Sequence, residues 1–131
     1  MKAKKIWANF SVKDAKLTKQ FYTKLGFTPS KQNSDPKLAS FLFGDDDFVI
    51  HFFELGSQID EYLSSGTKNA EIMFTLSAEA EAEVKEWADK VEEAGGTILK
   101  DVRRDEAGYY GFAFADPDGH SFNILLMEKG M

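Results

Sequence analysis

The chain states one pattern twice. Residues 8–12 (ANFSV) match residues 72–76 (IMFTL), Gly26 matches Gly95 or Gly96, and His51 matches Asn123. Both halves run strand, helix, strand, hairpin. The separation between matched positions grows along the chain, as a slightly longer second helix requires. Recurrence of a whole supersecondary unit marks a divergent repeat. The predicted organisation is a first module over residues 1–55, a linker over 56–68 and a second module over 69–131, forming one α+β domain.

Within the first module, residues 6–12 alternate, with Ile6, Ala8, Phe10 and Val12 on one side and Trp7, Asn9 and Ser11 on the other. Asp14 is placed to cap a helix whose apolar stripe is Leu17, Phe21 and Leu25, and Gly26 ends it. Phe27, Thr28 and Pro29 read as an edge strand, because proline cannot donate to a ladder. A hairpin follows, with strands over 40–44 and 48–54 around Asp45, Asp46 and Asp47.

The second module opens with a strand over 69–76. Ser77 is expected to cap a helix whose stripe is Ala80, Val84, Trp87 and Val91. Glu79, Glu81 and Glu83 suit the positive end of its dipole. Gly95 and Gly96 stop it. A strand over 97–102 leads into a charged loop holding Arg103 and Arg104. The closing hairpin enters at Phe112 and turns at Asp116-Pro117-Asp118-Gly119. Proline presets one turn dihedral there and glycine accepts the positive φ.

Every strand read this way has one apolar face, continuous with the helix stripes, and one mixed face. The mixed set includes Trp7, Asn9, His51, Phe53, Glu71, Met73, Thr75 and Asn123. Large apolar side chains interspersed with a few polar ones are what a small-molecule cup needs. Two such sheets side by side would give a curled, half-open mixed sheet with helices outside.

Composition narrows the function. The chain has no cysteine, which excludes thiolate chemistry and iron–sulfur clusters and suits a cytoplasmic location. Its net charge of −6 disfavours nucleic acid and would favour a cationic ligand, though solubility is the better explanation of it. No apolar run approaches a membrane span, so no membrane partner is expected. Neither a nucleotide-binding glycine loop nor a serine nucleophile with a placed base can be read.

The paired βαβββ units, VKD followed by FYTKLGF near the start, and the closing FADPDGHSFNIL resemble the vicinal-oxygen-chelate superfamily. This is the glyoxalase, bleomycin-resistance and extradiol-dioxygenase group. The resemblance covers essentially the whole chain and implies a homodimer. It also implies one metal ligand from the first and last strand of each module, usually His, Glu or Gln. Carried over, these positions are Trp7, His51, Glu71 and Asn123, with the repeat pairing Trp7 to Glu71. An indole nitrogen only donates, and an amide oxygen is a weak ligand for zinc, nickel or iron.

No cofactor is therefore expected, a divalent metal being the minority alternative. His51 and Glu71 are the candidate acid and base, or a polar pair that orients a ligand, or a pair that only packs. The ligand-binding candidates are Trp7, Asn9, His51, Phe53, Glu71, Met73, Tyr110 and Asn123, and Tyr109 could offer a second ring face. His120 reads as a surface residue. The implied functions are metal-free sequestration of, or resistance to, a small organic molecule. The alternatives are a metal-dependent lyase of the lactoylglutathione type, a ring-cleaving dioxygenase, and a metal-free acid–base enzyme.

Overall fold

The computed structural model describes residues 1–2, 5–31, 35–57, 59 and 72–128. The chain divides into two compact units, Met1–Thr67 and Lys68–Met131. Most of the expected linker, residues 58 and 60–68, lies outside the described residues.

The first unit runs β1 (Ala8–Val12), α1 (Ala15–Lys24), β2 (Thr28–Pro29), β3 (Leu38–Phe43) and β4 (Phe48–Glu54). Its sheet has the order β1-β4-β3-β2. β1 runs parallel to β4, and the other neighbours are antiparallel. Asp14 caps α1 as its sequence position predicts, accepting from the N–H groups of Lys16 at 3.0 Å and Leu17 at 3.4 Å. Glu54, at the end of β4, accepts from Ala15 N–H at 3.1 Å and so ties strand to helix. Gly26, at φ +93°, closes the helix, and the Phe27 N–H reaches back to the Tyr22 carbonyl at 3.1 Å.

The buried stripe of α1 differs from the expected one. Leu17 is 47% exposed, whereas Tyr22 is fully buried. Ala15, Thr18, Tyr22 and Leu25 follow one another at helical spacings of three and four, with Phe21 beside them, and Leu17 falls outside that row. Tyr22 stacks on Phe52 at 4.7 Å and meets Phe43 edge-on at 5.9 Å, which makes it the hub of this unit's aromatic core.

The second unit runs β5 (Met73–Ala78), α2 (Glu81–Ala94), β6 (Thr97–Arg104), β7 (Tyr110–Ala115) and β8 (Ser121–Leu126), with sheet order β5-β8-β7-β6. β5 is parallel to β8, repeating the β1–β4 arrangement. Its core is Val84 and Val91 of α2 against Phe112, Phe114, Phe122 and Ile124.

Three expectations are corrected here. Ser77 does not cap α2: it lies in β5 opposite Leu125, because the ladder continues to Ala78 and Leu126. The helix starts at Glu81 instead, and the Glu83 carboxylate accepts from the Glu79 N–H at 2.8 Å. Arg103 and Arg104 are not in a loop but in the last turn of the β6 ladder, opposite Gly111 and Tyr110.

His120 is not at the surface. It is 1% exposed, and its Nδ1 lies 2.6 Å from Oδ2 of Asp116, itself 2% exposed. The other Asp116 oxygen accepts from the N–H groups of Asp118 at 3.0 Å and His120 at 2.8 Å. The turn thus folds its acid inward and takes the imidazole with it. Gly119 supplies the left-handed corner at φ +89°.

Candidate functional site

In the first unit, strand pairing gathers the mixed face. Asn9 stands opposite His51 on β4, and Ser40 of β3 stands opposite His51 on its other side. Directly opposed residues point to the same side of a sheet, so Asn9, His51 and Ser40 form a row across three strands. His51 Nδ1 lies 2.7 Å from the hydroxyl of Ser40, which is fully buried. The ring also meets Phe53 edge-on at 5.8 Å. Burial lowers the pKa of His51 from its ordinary 6.5, favouring the neutral imidazole.

His51 lines a hollow of 620 Å³ whose other walls include Trp7, Phe48, Val49, Asp46 and Asp47. That volume lies within the range of roughly 300–1,000 Å³ usual for small-molecule sites. Trp7 is 52% exposed, a large apolar surface left open beside the imidazole. Asp47 holds a left-handed backbone, φ +53°, at the hairpin tip. The sequence reading assigned Asp45, Asp46 and Asp47 only to the turn. It missed that Asp46 and Asp47 line the same hollow as Trp7, since a turn's tilt over its sheet leaves no pattern in the chain.

In the second unit, Met73 and Asn123 line a smaller hollow, of 140 Å³. Tyr109 is part of that lining. Tyr110 lines neither hollow: it belongs to the face of Phe112 and Phe114, and the Arg104 guanidinium lies 5.7 Å from its ring centre. Glu71 lies outside the described residues.

The observed register also shifts the repeat. Val12 pairs with Glu54 and its carbonyl accepts from the next residue, Leu55. Ala78 pairs with Leu126 and accepts from Met127 in the same way. Val12 therefore corresponds to Ala78, and Trp7, five residues before Val12, corresponds to Met73 rather than Glu71. The match of residues 8–12 to 72–76 was two residues out, which preserves the strand faces and so left no trace in the apolar pattern.

The equivalent first- and last-strand positions are then Trp7 with His51 and Met73 with Asn123. Neither pair fits a divalent catalytic ion, which normally takes three good nitrogen or oxygen donors: the first unit offers an indole without a free lone pair and one imidazole, the second a thioether and an amide. Among the described residues no group of three His, Cys, Asp or Glu side chains is placed to hold a metal.

Among the described residues no helix is long and apolar enough to cross a membrane. Comparison with curated proteins returned no match. Among solved structures, the chain is similar to a hypothetical protein from S. aureus, with 30% identity, TM-score 0.83, and coverage of 97% of this chain and 96% of that one. It shares its fold with a glyoxalase-related enzyme from Fulvimarina pelagi, at 20% identity and TM-score 0.80 over 95% and 89% of the two chains. It does so too with a glyoxalase/bleomycin resistance protein/dioxygenase family enzyme from Burkholderia phytofirmans, at 17% identity and TM-score 0.74 over 93% and 97%. A family model matches residues 6–124, and with the βαβββ order of both units it establishes that the chain belongs to the glyoxalase/bleomycin resistance protein/dioxygenase superfamily.

Proposed function

We propose that this chain binds a small organic molecule in the hollow of its first unit, without a metal ion, and serves in sequestration or resistance. The observation that carries the reading is Trp7. It stands where the family resemblance places a metal ligand, and it offers an open indole face to a 620 Å³ hollow instead. The apolar wall of Trp7, Phe48 and Val49 supplies contact area, and neutral His51 supplies one oriented polar group. Homodimeric assembly and a cytoplasmic location go with this reading.

Two measurements test it together. Metal analysis of protein purified without nickel resin or chelator should give well under one transition-metal ion per chain. A thermal-shift screen of small organic molecules should then give binders, since a ligand of the folded form raises the melting temperature by mass action. A stoichiometric metal would overturn the reading in favour of a metal-dependent lyase or dioxygenase.

A second reading has its own observation. The 2.7 Å contact with buried Ser40 fixes the His51 ring, and burial keeps it unprotonated near neutrality, as a general base requires. If the protein is a metal-free acid–base enzyme, His51→Ala abolishes turnover of a discovered ligand while Trp7→Ala mainly weakens its binding.

A further inference from the structure

β6 does not follow β7 evenly. From Ile98 to Lys100 it advances two residues while β7 advances one, Phe114 to Ala113. From Lys100 to Arg103 it advances three while β7 advances two, Ala113 to Gly111. Each extra residue is a bulge, and a bulge turns the side chains beyond it to the other face. In an unbroken strand Lys100 would share the face of Ile98, and Arg103 would lie on the opposite one. With the two bulges, Ile98 keeps the core face opposite Phe114, the first bulge moves Lys100 to the face of Ala113 and Gly111, and the second returns Arg103 to that same face.

Two rows result across three strands. Lys100, Ala113 and Asn123 form one, and Arg103, Gly111 and Leu125 the next. Along β7 the rows are about 7 Å apart, at ~3.4 Å per residue. The middle residue of the first row is only an alanine, whereas in the second row Leu125 and the Ile124 carbonyl crowd Gly111; the hollow lies between the cations on one side and Asn123 on the other. These residues line the 140 Å³ hollow.

Three features of that hollow ask for an occupant. Oδ1 of Asn123 is buried and has no hydrogen-bond partner among the described residues. Neither Lys100 nor Arg103 forms an ion pair among the described residues. Their neighbour Arg104, on the opposite face, is by contrast committed to Glu128 at 2.8 Å and to the Gly108 carbonyl. Of the two carboxylates at the hollow, Asp105 is engaged with the Tyr109 N–H at 2.9 Å, and Asp101 pairs with neither cation.

We infer that the second unit carries its own anion subsite, which takes a small carboxylate bearing a hydrogen-bond donor. The carboxylate lies against Arg103 and Lys100, and the donor, a hydroxyl or an N–H, meets Asn123 Oδ1. The geometry of a guanidinium suits two-point contact with a carboxylate. The hollow has the volume of about five water molecules at ~30 Å³ each, so it takes a compact acid or the acidic end of a longer molecule. All the residues named for this site belong to the second unit, and its argument uses neither Trp7 nor His51.

The test uses the full chain, isotope-labelled for NMR, with three sodium salts as probes. Glycolate carries both a carboxylate and a donor, acetate carries the carboxylate alone, and chloride controls for ionic strength. Glycolate should produce saturable shifts at the Gly111 and Ala113 amides and at the Asn123 side chain, and acetate should bind several-fold more weakly. Arg103→Gln, at an exposed position, should weaken glycolate about tenfold or more, as expected for a lost charge-assisted bidentate contact.

Asn123→Leu should erase the difference between glycolate and acetate. Absence of saturable shifts at Gly111 and Ala113 would overturn the proposal, as would glycolate binding unchanged in Arg103→Gln. Equal binding of acetate and glycolate to the natural protein would overturn the donor requirement. None of these results alters metal content or binding at Trp7, so failure here is distinguishable from failure of the first-unit reading.

Discussion

Ser40 and His51 face each other across the β3–β4 pair, hydroxyl to Nδ1 at 2.7 Å, with Ser40 fully buried. The contact pins one ring nitrogen and leaves the other for whatever enters the hollow beside Trp7. It also fixes the sign of a pH effect. Because burial lowers the pKa of folded His51 below 6.5, the unfolded chain binds more protons in the window just under that value. The contribution of His51 to stability is thus complete above pH 6.5 and is lost as pH falls toward the folded pKa. An NMR titration should put the His51 midpoint below 6.5, and His51→Gln should flatten part of the melting-temperature decline between neutral and mildly acidic pH. A midpoint at or above 6.5 contradicts the burial argument.

Trp7→Ala should leave the fold intact and damage binding. The side chain is half exposed, so little core is lost, whereas a ligand loses the largest apolar wall of the hollow. With a binder from the thermal-shift screen, calorimetry should show affinity weakened about tenfold or more, the scale of an aromatic contact worth ~1.4 kcal/mol or above. Unchanged affinity with unchanged circular dichroism would place the ligand elsewhere.

Gly111 admits no side chain. A Cβ built there would sit 2.0 Å from the Ile124 carbonyl oxygen and 2.8 Å from Leu125 Cδ2, and the carbonyl belongs to backbone that cannot swing aside. Gly111→Ala should therefore cost about 2 kcal/mol or more in urea denaturation, in the range of overpacking penalties. A loss within ~0.5 kcal/mol, the usual effect of a surface change, would show that β7 and β8 do not approach as described.

Asp116 holds the last hairpin closed through two backbone N–H groups and the His120 ring. Asp116→Ala removes all three acceptor contacts at a site that is 2% exposed, and should destabilise the chain by about 3 kcal/mol, typical of breaking a buried charged network. Asp116→Asn keeps an oxygen for the two N–H groups and should recover part of that loss. If both variants melt like the natural protein, the clasp contributes nothing to stability.

Much of the fold was readable before any coordinates. The Asp14 cap, the edge position of Pro29 and the turn at Asp116–Gly119 rest on chemistry confined to three or four consecutive residues. The family and the two βαβββ units followed from those signals in order. Of the hollow in the first unit, Trp7 and His51 had each been assigned to the mixed face of its own strand by the alternation of apolar and polar residues.

What stayed hidden needed a partner strand. Tyr22 displaced Leu17 from the core because the sheet lies over one particular stripe of α1. His120 went inside because Asp116 turned toward it. Trp7 aligned with Met73, and Lys100 joined Arg103 on the face of Asn123, through choices of register and bulge. Local dihedral preferences and apolar alternation are written residue by residue, so the chain alone specifies its elements, their order and their turns. Register is written only in the hydrogen bonds between strands distant in sequence. A slip of two preserves every face and a single bulge reverses one, so the composition of each hollow emerged only when the sheets assembled.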